Sequence, residues 1–299
     1  MNVGITFPRR HIGTDPSAIR GFAEAVDSLG YHHITIEEHV LGADPDRQGG
    51  FSYGPDATRP RTGTYITKDD PFNEPMVLAG FLAALTRHVE LVTGVLVLPQ
   101  RQTALVAKQA TELDVLSAGR FRLGVGVGWN PVEYEGLGSD FKTRGARQEE
   151  QIRLMRALWT QDVVDFRGRW HRIDRAGLNP LPSGPIPIWL GGNSEAAMKR
   201  AASLGDGWMP LGMQPGLNAA EAIERVRALR EEAGHADRPF GIEATVAVAA
   251  AEPPGSVVEQ LGKLREIGVT HATLRPAPGD AIDSVEFAAA YSPSEQLHL

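Results

Sequence analysis

The segment LGGNSEAAMKR, residues 190–200, has the residue types of an anion-binding helix N-terminus. Gly191 and Gly192 end an apolar stretch, and Asn193 or Ser194 can cap a helix that begins at Glu195. The first N–H groups of a helix have no intrahelical partners and the dipole is positive at this end, so an anion is stabilised there. The sequence therefore predicts an anion site at Gly191, Gly192, Asn193 and Ser194, with an N-cap that binds no ligand as the alternative.

A second stretch, GRFRLGVGVGW, has glycine at every second position: Gly124, Gly126 and Gly128. A dinucleotide fingerprint needs G-x-G-x-x-G at the start of a helix, and this spacing places Trp129 or Pro131 where the third glycine belongs. The fingerprint is therefore absent. A strand end without side chains on alternate positions allows a flat ligand to lie against the main chain, and a tight turn without a ligand is the alternative.

Apolar, β-branched segments of strand length alternate with amphipathic helical segments along the chain, a pattern typical of parallel β/α units. We predict one α/β domain, residues 1–299, that forms a (β/α)8 barrel with its ligand-binding loops at the carboxyl ends of the strands. The predicted strands are Val3–Phe7, His33–Ile36, Val89–Val95, Phe121–Val127, Ile186–Leu190, Gly207–Pro210, Gly241–Val248 and Thr270–Leu274.

Long connections interrupt this alternation, and we predict insertion loops at about 41–75 and 163–187. The second contains VVDFRGRWHRID, which we expect to form a hairpin that turns at Gly168. A third connection, 129–142, leaves the fourth strand. Two helices are expected to bury apolar stripes, which consist of Leu105, Val106, Leu113 and Leu116 in one and Ile152, Met155 and Trp159 in the other.

The composition excludes several classes of function. The net charge of -7 argues against nucleic acid as a partner, because that binding depends on basic patches. Cysteine is absent, which excludes disulfides, thiolate metal sites and cysteine nucleophiles. No apolar stretch is long enough to cross a bilayer, and MNVGITFP lacks the regions of a signal peptide, so we expect no membrane association and a cytoplasmic location.

Three segments together resemble the luciferase-like monooxygenase superfamily, and most of all its branch of coenzyme F420-dependent oxidoreductases. They are VLSAGRFRLGVGVGWNPVEYEGLG, RGARQEEQIRLMRALWT and PIWLGGNSEAAMKRAASLGDGW, which occur in the family's order. The resemblance extends from the first strand to about Arg275. It implies a (β/α)8 barrel with the cofactor, F420 or alternatively FMN, across the carboxyl end of the sheet.

The resemblance assigns the cofactor to particular backbone segments. Gly126, Val127 and Gly128 would lie flat beside the ring system or its ribityl chain, with Trp129 as a stacking or pocket wall. The segment LVTGVLVLP matches a bulge that carries a non-proline cis peptide in many family members, and Gly94-Val95 is the matching bond. Thr93, Gly94 and Val95 would then support the flavin ring, and residues 191–194 would hold the cofactor phosphate.

The segment HHITIEEHV supplies the candidate catalytic residues. In similar deazaflavin enzymes an acidic residue and a histidine end the second strand, and Glu38 and His39 occupy those positions here. Histidine can orient a substrate or exchange a proton while hydride moves, and His39 is also a cofactor neighbour; a satisfied structural histidine is the alternative. The family's acid directly after the glycines is replaced by Trp129, and Glu133 is interpreted as a solvated loop residue.

The resemblance leaves three activities open. The first is hydride transfer between F420 and an unidentified small organic substrate, with an F420-reducing or flavin-reducing enzyme as a partner. The second is an FMN-dependent monooxygenase supplied with reduced flavin by a partner reductase, and the third is a catalytically silent flavin-binding protein. We expect a homodimer and no metal site, since no histidine and carboxylate spacing fits a metal motif. The polyanionic F420 tail would account for basic residues near the catalytic end, and solvated surface charge is the alternative for each of them: Arg9, Arg10, Arg59, Arg61, Lys68, Lys142 and Arg144.

Overall fold

The apolar segments form a closed parallel barrel in the computed structural model, which describes residues 1–44, 66–210, 218–277, 280 and 282–297. Eight strands pair in the order β1-β2-β3-β5-β8-β9-β10-β11, and β11 pairs again with β1. The predicted (β/α)8 barrel is therefore confirmed, and each predicted strand lies within two residues of an observed one. The strands are β1 (Asn2–Thr6), β2 (His33–Ile36), β3 (Glu90–Thr93), β4 (Leu96–Val97), β5 (Phe121–Gly126), β6 (Val164–Arg167), β7 (Arg172–Ala176), β8 (Ile188–Gly191), β9 (Gly207–Met209), β10 (Gly241–Val248) and β11 (His271–Pro276).

Helices cover the outside of the barrel, and the predicted N-cap at Ser194 is confirmed. Asp15, Asn130 and Ser194 cap three of them through side-chain oxygens. No helix in the described part of the chain is both long and apolar enough to cross a membrane. The helices are α1 (Arg9–Ile12), α2 (Pro16–Ser28), α3 (Pro75–Leu85), α4 (Thr103–Ser117), α5 (Pro131–Gly136), α6 (Arg144–Thr160), α7 (Glu195–Leu204), α8 (Ala219–Glu232), α9 (Pro254–Glu266) and α10 (Ser284–Ala290).

One predicted helical stripe is wrong in part. Val106 and Leu113 of α4 are buried, but Leu105 and Leu116 are 52% and 61% exposed. The buried face of α4 instead includes the small residues Ala110 and Ser117, which allow a close approach to the neighbouring elements. The stripe predicted for α6, which consists of Ile152, Met155 and Trp159, is buried as expected.

The predicted hairpin within 163–187 is confirmed as the antiparallel pair β6 and β7. Glu150 of α6 holds its turn, because the carboxylate accepts the backbone N–H groups of Arg169, Trp170 and His171 at 2.7–2.9 Å. A Cβ atom at Gly168 would overlap the Glu150 carboxylate, so the turn requires glycine. The predicted insertion 41–75 is described only at its ends, where Ala43 and Thr67 form a parallel bridge.

Inside the barrel, large side chains on one strand lie beside glycines on another. The Trp189 ring fills the space beside Gly207 and Gly241, where a Cβ atom would overlap it. His33 fills the corresponding space beside Gly4. Because interiors are packed at close to crystal density, a large side chain on one strand requires a small one opposite.

Candidate functional site

A histidine after β2, a tryptophan after β5 and a phenylalanine before α3 lie together at the carboxyl end of the barrel. The centroid of the His39 ring lies 4.9 Å from that of Phe72 and 5.2 Å from that of Trp129. The Arg9 guanidinium stacks 3.7 Å from the Phe72 centroid and bonds the Glu37 carboxylate at 3.0 Å. His39 and Trp129, which the sequence assigned to the site, therefore lie in one wall at the predicted end of the barrel.

Glu133 is a buried partner of His39, so its interpretation as a solvated loop residue is wrong. The residue is 1% exposed and lies in the short helix α5. Its carboxylate oxygens are 3.1 and 3.2 Å from His39 Nδ1 and accept the backbone N–H groups of Val40 at 2.7 Å and Leu41 at 3.3 Å. The sequence carried one indication of this helix, Asn130 followed by proline, which is an N-cap pattern.

Glu38 is buried and its carboxylate is bonded within the protein. It accepts from Arg101 Nε at 2.8 Å, from Arg101 Nη2 and from the backbone N–H of Val97 in β4. Burial raises the pKa of Glu38, and the Arg101 guanidinium opposes that effect. Glu38 thus attaches the end of β2 to the segment that follows the predicted bulge, and its catalytic role stays a prediction.

The Gly94-Val95 peptide bond is cis, as the resemblance implies. Thr93 Oγ1 donates to the Gly124 carbonyl at 2.8 Å, and the Gly94 N–H donates to Ile36 O at 2.7 Å, so the segment is fixed from both neighbouring strands. Val95 follows as a partly exposed apolar side chain at the carboxyl end of the barrel. Gly94 and Val95 are therefore held in place at that end, with the buried Thr93 behind them.

The alternating glycines of β5 accommodate protein atoms. A Cβ atom at Gly126 would lie 2.5 Å from Val95 Cγ2, and one at Gly191 would lie 2.8 Å from Val95 Cγ1. Gly128 has φ +63° and adjoins Val97 in the same way. The expectation of bare backbone beside Gly126 needs correction, because the Val95 side chain covers it and a ligand would meet Val95 there.

Replacing Gly126 with alanine is expected to destabilise the protein by about 1–3 kcal/mol, since the new methyl overpacks against Val95. Adding Val95→Ala to Gly126→Ala should recover part of this loss, because it removes the overlapping Cγ2 atom. Urea denaturation of the four proteins of this cycle measures the coupling. Gly21→Ala is the control, because nothing lies near its Cβ position; equal losses in the single and double variants would contradict the packing account.

Residues 191–194 form a capped helix N-terminus, as predicted. Ser194 Oγ accepts the Ala197 N–H at 3.2 Å, and α7 follows directly. The N–H groups of Glu195 and Ala196 are in the first turn and have no intrahelical acceptor. Gly192 has φ +120°, a conformation that favours glycine, and its carbonyl accepts Trp208 Nε1 at 2.8 Å. Anion binding at this N-terminus stays a prediction.

Three arginines beside this helix were not assigned as a group from the sequence. Arg144 and Arg147 begin α6, where positive charge opposes the helix dipole, and Arg200 lies in α7. Arg200 Nη1 approaches within 3.0 Å of a Cβ position at Gly145, and burial together with Arg144 lowers the pKa of Arg200. Within the described ranges none of the three forms an ion pair, and the buried Nε atoms of Arg144 and Arg147 lack hydrogen-bond partners. Arg144 Nη1 donates to the Phe141 carbonyl at 2.7 Å, and Glu149 partly offsets the positive charge around Arg200.

Most of the other predicted basic residues have carboxylate partners. Arg9 bonds Glu37, Arg10 bonds Asp70 and Lys68 bonds Asp69. Residues 59 and 61 lie outside the described residues. Of the basic residues that the sequence singled out, Arg144 is thus the one that joins the arginine group.

A second polar cluster fills the amino end of the barrel. Arg122 is 1% exposed and contacts Glu243 at 3.1 Å and Glu90 at 2.9 Å. His32, His33 and Glu90 have potential metal-ligand atoms within 4.8 Å of one another. The Arg122 guanidinium already neutralises Glu90, which opposes a cation at this position. The cluster lies at the opposite end of the barrel from His39, and we interpret it as structural.

Acid is expected to destabilise the protein through the histidines of this cluster. Burial lowers the pKa of His32 and of His33, and lowers that of His271 to about 3. In the unfolded chain these imidazoles bind protons below the ordinary histidine pKa of 6.5, whereas in the folded chain they stay neutral to lower pH. The free energy of unfolding therefore falls as the pH decreases from 6.5 towards 3. Burial raises the pKa of Glu243 and partly opposes this trend.

Urea denaturation between pH 7.5 and pH 5 measures the slope of unfolding free energy against pH. His271→Gln should reduce that slope, because one proton-binding group of the unfolded chain is removed. His88→Gln, at a histidine whose side chain is 80% exposed, is the control. An unchanged slope in His271→Gln would contradict the assignment of the acid sensitivity to this residue.

Comparison with known proteins agrees with the geometry. A family model described as luciferase-like monooxygenase matches residues 1–291. The structure of the monooxygenase RslO1 from Streptomyces bottropensis superposes with a TM-score of 0.77 at 20% identity, covering 100% of this chain and 99% of that one. At this identity the structural likeness shows the shared barrel fold.

Three sequence relatives extend the comparison. An uncharacterised protein of Mycobacterium tuberculosis is 37% identical over 249 residues, 83% of this chain and 81% of that protein. An F420-dependent glucose-6-phosphate dehydrogenase of Mycobacterium avium is 36% identical over 142 residues, 45% of this chain and 42% of the enzyme. An FMNH2-dependent dimethylsulfone monooxygenase of Pseudomonas fluorescens is 33% identical over 181 residues, 58% of this chain and 48% of the enzyme. The chain is an oxidoreductase that belongs to the luciferase-like monooxygenase family.

Proposed function

We propose that this protein is an F420-dependent oxidoreductase that transfers a hydride between the deazaflavin and a small organic substrate. The observation that carries the proposal is the contact between the partly exposed His39 and the buried Glu133 at the carboxyl end of the barrel. Loss of hydride from a carbon atom is accompanied by loss of a proton from the substrate's hydroxyl or amine, and a histidine held by a carboxylate can take it. The local match to an F420-dependent relative supports the same cofactor.

Residues of this chain fit such a cofactor at two places. Gly94 and Val95 would support one face of the ring, with the buried Thr93 behind them and with Val127 and Gly128 beside the ring; Val95 would separate Gly126 from it. Trp129 would form a wall beside His39, since the two rings are already 5.2 Å apart. When bound, the deazaflavin would supply a carbon centre that accepts or donates hydride.

The phosphate and the acidic tail would lie at the second place. Gly191, Gly192, Asn193 and Ser194 would present the start of α7, and Arg144, Arg147 and Arg200 would supply positive charge. The partnerless Nε atoms of Arg144 and Arg147 support this assignment, because buried donors in native proteins nearly always have an acceptor. The partial positive charge at the first turn of α7 is too small to balance a polyanion. The full positive charges of the three arginines would add to it.

Within this arrangement His39 would move the proton, and Phe72 with Trp129 would keep water from the reacting atoms. Glu38 would act indirectly, since its bonds to Arg101 and Val97 fix the backbone next to residues 93–95. The substrate would lie over the exposed ring face near the segment 41–75.

An FMN-dependent monooxygenase, supplied by a flavin reductase, is the second candidate. The FMNH2-dependent relative matches a longer part of the chain, 181 residues, than the F420-dependent one. Either cofactor carries a phosphate that fits the start of α7. A catalytically silent flavin-binding protein would use the same surfaces without turnover.

Calorimetric titration with oxidised F420 and, separately, FMN at low and moderate salt tests the proposal. We expect tighter binding of F420, weakened by salt because its acidic tail meets the arginine group. Arg200→Gln should weaken F420 binding by about tenfold, the equivalent of one charge-assisted hydrogen bond. Lys199→Gln is the matched control, since Lys199 lies on the exposed side of α7 beside Glu195.

Preference for FMN would overturn the F420 assignment, and oxygen uptake with a flavin reductase would then test the monooxygenase. Tight binding of F420 without its reduction by any member of a panel of alcohols, aldehydes and amines would favour the silent binding protein. Binding of neither cofactor would contradict both enzymatic candidates.

We also propose a homodimer. The neighbouring helices α3 and α4 present exposed apolar side chains at Val77, Phe81, Leu105 and Leu116, which supports an interface with a second copy. Light scattering after gel filtration should give twice the 32.3 kDa mass of one chain. Leu116→Glu should produce the monomer, and an unchanged monomeric mass in the wild type would contradict the proposal.

A further inference from the structure

We propose that Glu133 is a positioning residue that keeps a hydrogen on His39 Nδ1 and leaves Nε2 as the nitrogen that exchanges protons with the substrate. The catalytic part of this inference, proton exchange between Nε2 and the substrate, rests on the proposed function. The tautomer itself is a property of the protein without cofactor and can be measured independently.

The geometry restricts what Glu133 can do. Both of its carboxylate oxygens lie within 3.2 Å of His39 Nδ1, and an ionised carboxylate only accepts hydrogen bonds. Nδ1 must therefore carry the hydrogen when the imidazole is neutral. The second ring nitrogen, Nε2, then has a lone pair, and no residue in the described ranges bonds it.

Two backbone bonds make the arrangement rigid. Glu133 Oε1 accepts the N–H groups of Val40 and Leu41, the two residues that follow His39. Asn130 Nδ2 donates to the Leu41 carbonyl at 3.2 Å, so α5 holds the same turn at a second point. Glu133 is thereby aligned with both the side chain and the backbone of the histidine segment.

The remaining charged groups around His39 are paired with one another. Arg9 forms an ion pair with Glu37, and Glu38 bonds Arg101. Glu133 is thus the described carboxylate that contacts the imidazole directly. When Nε2 takes a proton, the ring becomes an imidazolium and Glu133 balances its charge at 3.1 Å.

The proton balance follows from this arrangement. The bound deazaflavin would supply the hydride acceptor for a substrate oxidised at carbon, and His39 Nε2 would take the proton of the substrate's hydroxyl or amine. The imidazolium then returns that proton to solvent, and the reverse reaction draws it back. Nδ1 keeps its hydrogen throughout, because Glu133 accepts it in both states.

Glu133→Gln provides a sharp test because it is nearly isosteric. The Val40 and Leu41 N–H groups require an acceptor at the Oε1 position, so the glutamine NH2 group takes the Oε2 position, 3.1 Å from His39 Nδ1, while the amide oxygen stays 3.2 Å from the same nitrogen. The NH2 donor opposes a hydrogen on Nδ1, so the Nδ1–H tautomer should lose population to the Nε2–H tautomer. The two backbone bonds remain, so we expect the variant to fold.

Proton-detected nitrogen NMR of protein labelled in its histidines reports which ring nitrogen carries the hydrogen. Comparison with His39→Asn assigns the His39 signals. We expect Nδ1–H in the wild type and a larger share of Nε2–H in Glu133→Gln, without any cofactor. An Nε2–H wild type, or an unchanged tautomer in the variant, would overturn the proposal.

Steady-state kinetics then test whether this tautomer matters for catalysis. With a substrate that reduces F420, Glu133→Gln should lower kcat by about 10- to 100-fold, part of what acid–base catalysis contributes, and leave KM nearly unchanged. The pH–rate profile should move to lower pH, because the imidazolium loses its counterion. Glu135→Gln, on the exposed side of α5, is the control. If FMN proves to be the cofactor, the tautomer result is unaffected, so failure of the two proposals can be told apart.

Discussion

Replacing Arg122 with methionine is expected to lower the free energy of unfolding by about 3–5 kcal/mol, as for other buried ion pairs that lose one partner. Arg122 is 1% exposed, contacts Glu243 and Glu90, and stacks 4.0 Å from the Trp189 centroid. Methionine fills much of the volume but leaves Glu243, which is 4% exposed, without a countercharge.

The pH dependence of this loss identifies its cause. Burial raises the pKa of Glu243, so its charged form destabilises the folded state above the ordinary value near 4.5. Removing Arg122 raises that pKa further, because the guanidinium stabilises the carboxylate. The deficit of Arg122→Met should therefore be largest at neutral pH and decrease as the pH falls through the folded-state pKa and Glu243 is protonated.

Urea denaturation at pH 7.5 and pH 5 measures both effects. Glu243→Gln in the Arg122→Met background should recover stability at pH 7.5, since it removes the uncompensated charge. Arg120→Met is not an equivalent control, because Arg120 bonds backbone carbonyls; Arg153→Met, at a 58% exposed side chain, is the matched one. A pH-independent deficit without recovery by Glu243→Gln would show that lost packing, not charge, is responsible.

His39→Asn is expected to slow hydride transfer by about 10²–10⁴-fold, the usual contribution of a positioned acid–base group. Asparagine places a polar atom near the former Nδ1 position, where it can still bond Glu133, but it has no group at the position of Nε2. The affinity for F420 should change by less than about threefold, because an interaction made only during reaction affects kcat.

Stopped-flow absorbance of F420 reduction measures the rate, and calorimetry measures the affinity. His88→Asn is the control for loss of a histidine distant from the site, since its side chain is 80% exposed. An equal loss of affinity and rate would assign His39 to cofactor binding alone. A rate within threefold of the wild type would exclude it as the proton-exchanging group.

Local sequence patterns determined much of the fold. Alternating apolar segments predicted all eight barrel strands to within two residues, because strand and helix periodicities are encoded by neighbours along the chain. The cap at Ser194 and the buried stripe of α6 were predicted for the same reason. The cis bond at Gly94-Val95 was expected only from the family resemblance, since no local pattern indicates it.

Contacts across the barrel were decided by the tertiary structure. Glu133 and His39 are 94 residues apart, and Arg122 and Glu243 are 121 apart. Each pair depends on strand register and barrel closure, which place a charge beside its partner only when all strands are in position. The sequence by itself thus determined the barrel, and the family resemblance supplied the candidate histidine. The fold decided which carboxylate holds that histidine and which side chain covers Gly126, because both contacts form only when the strands are in register.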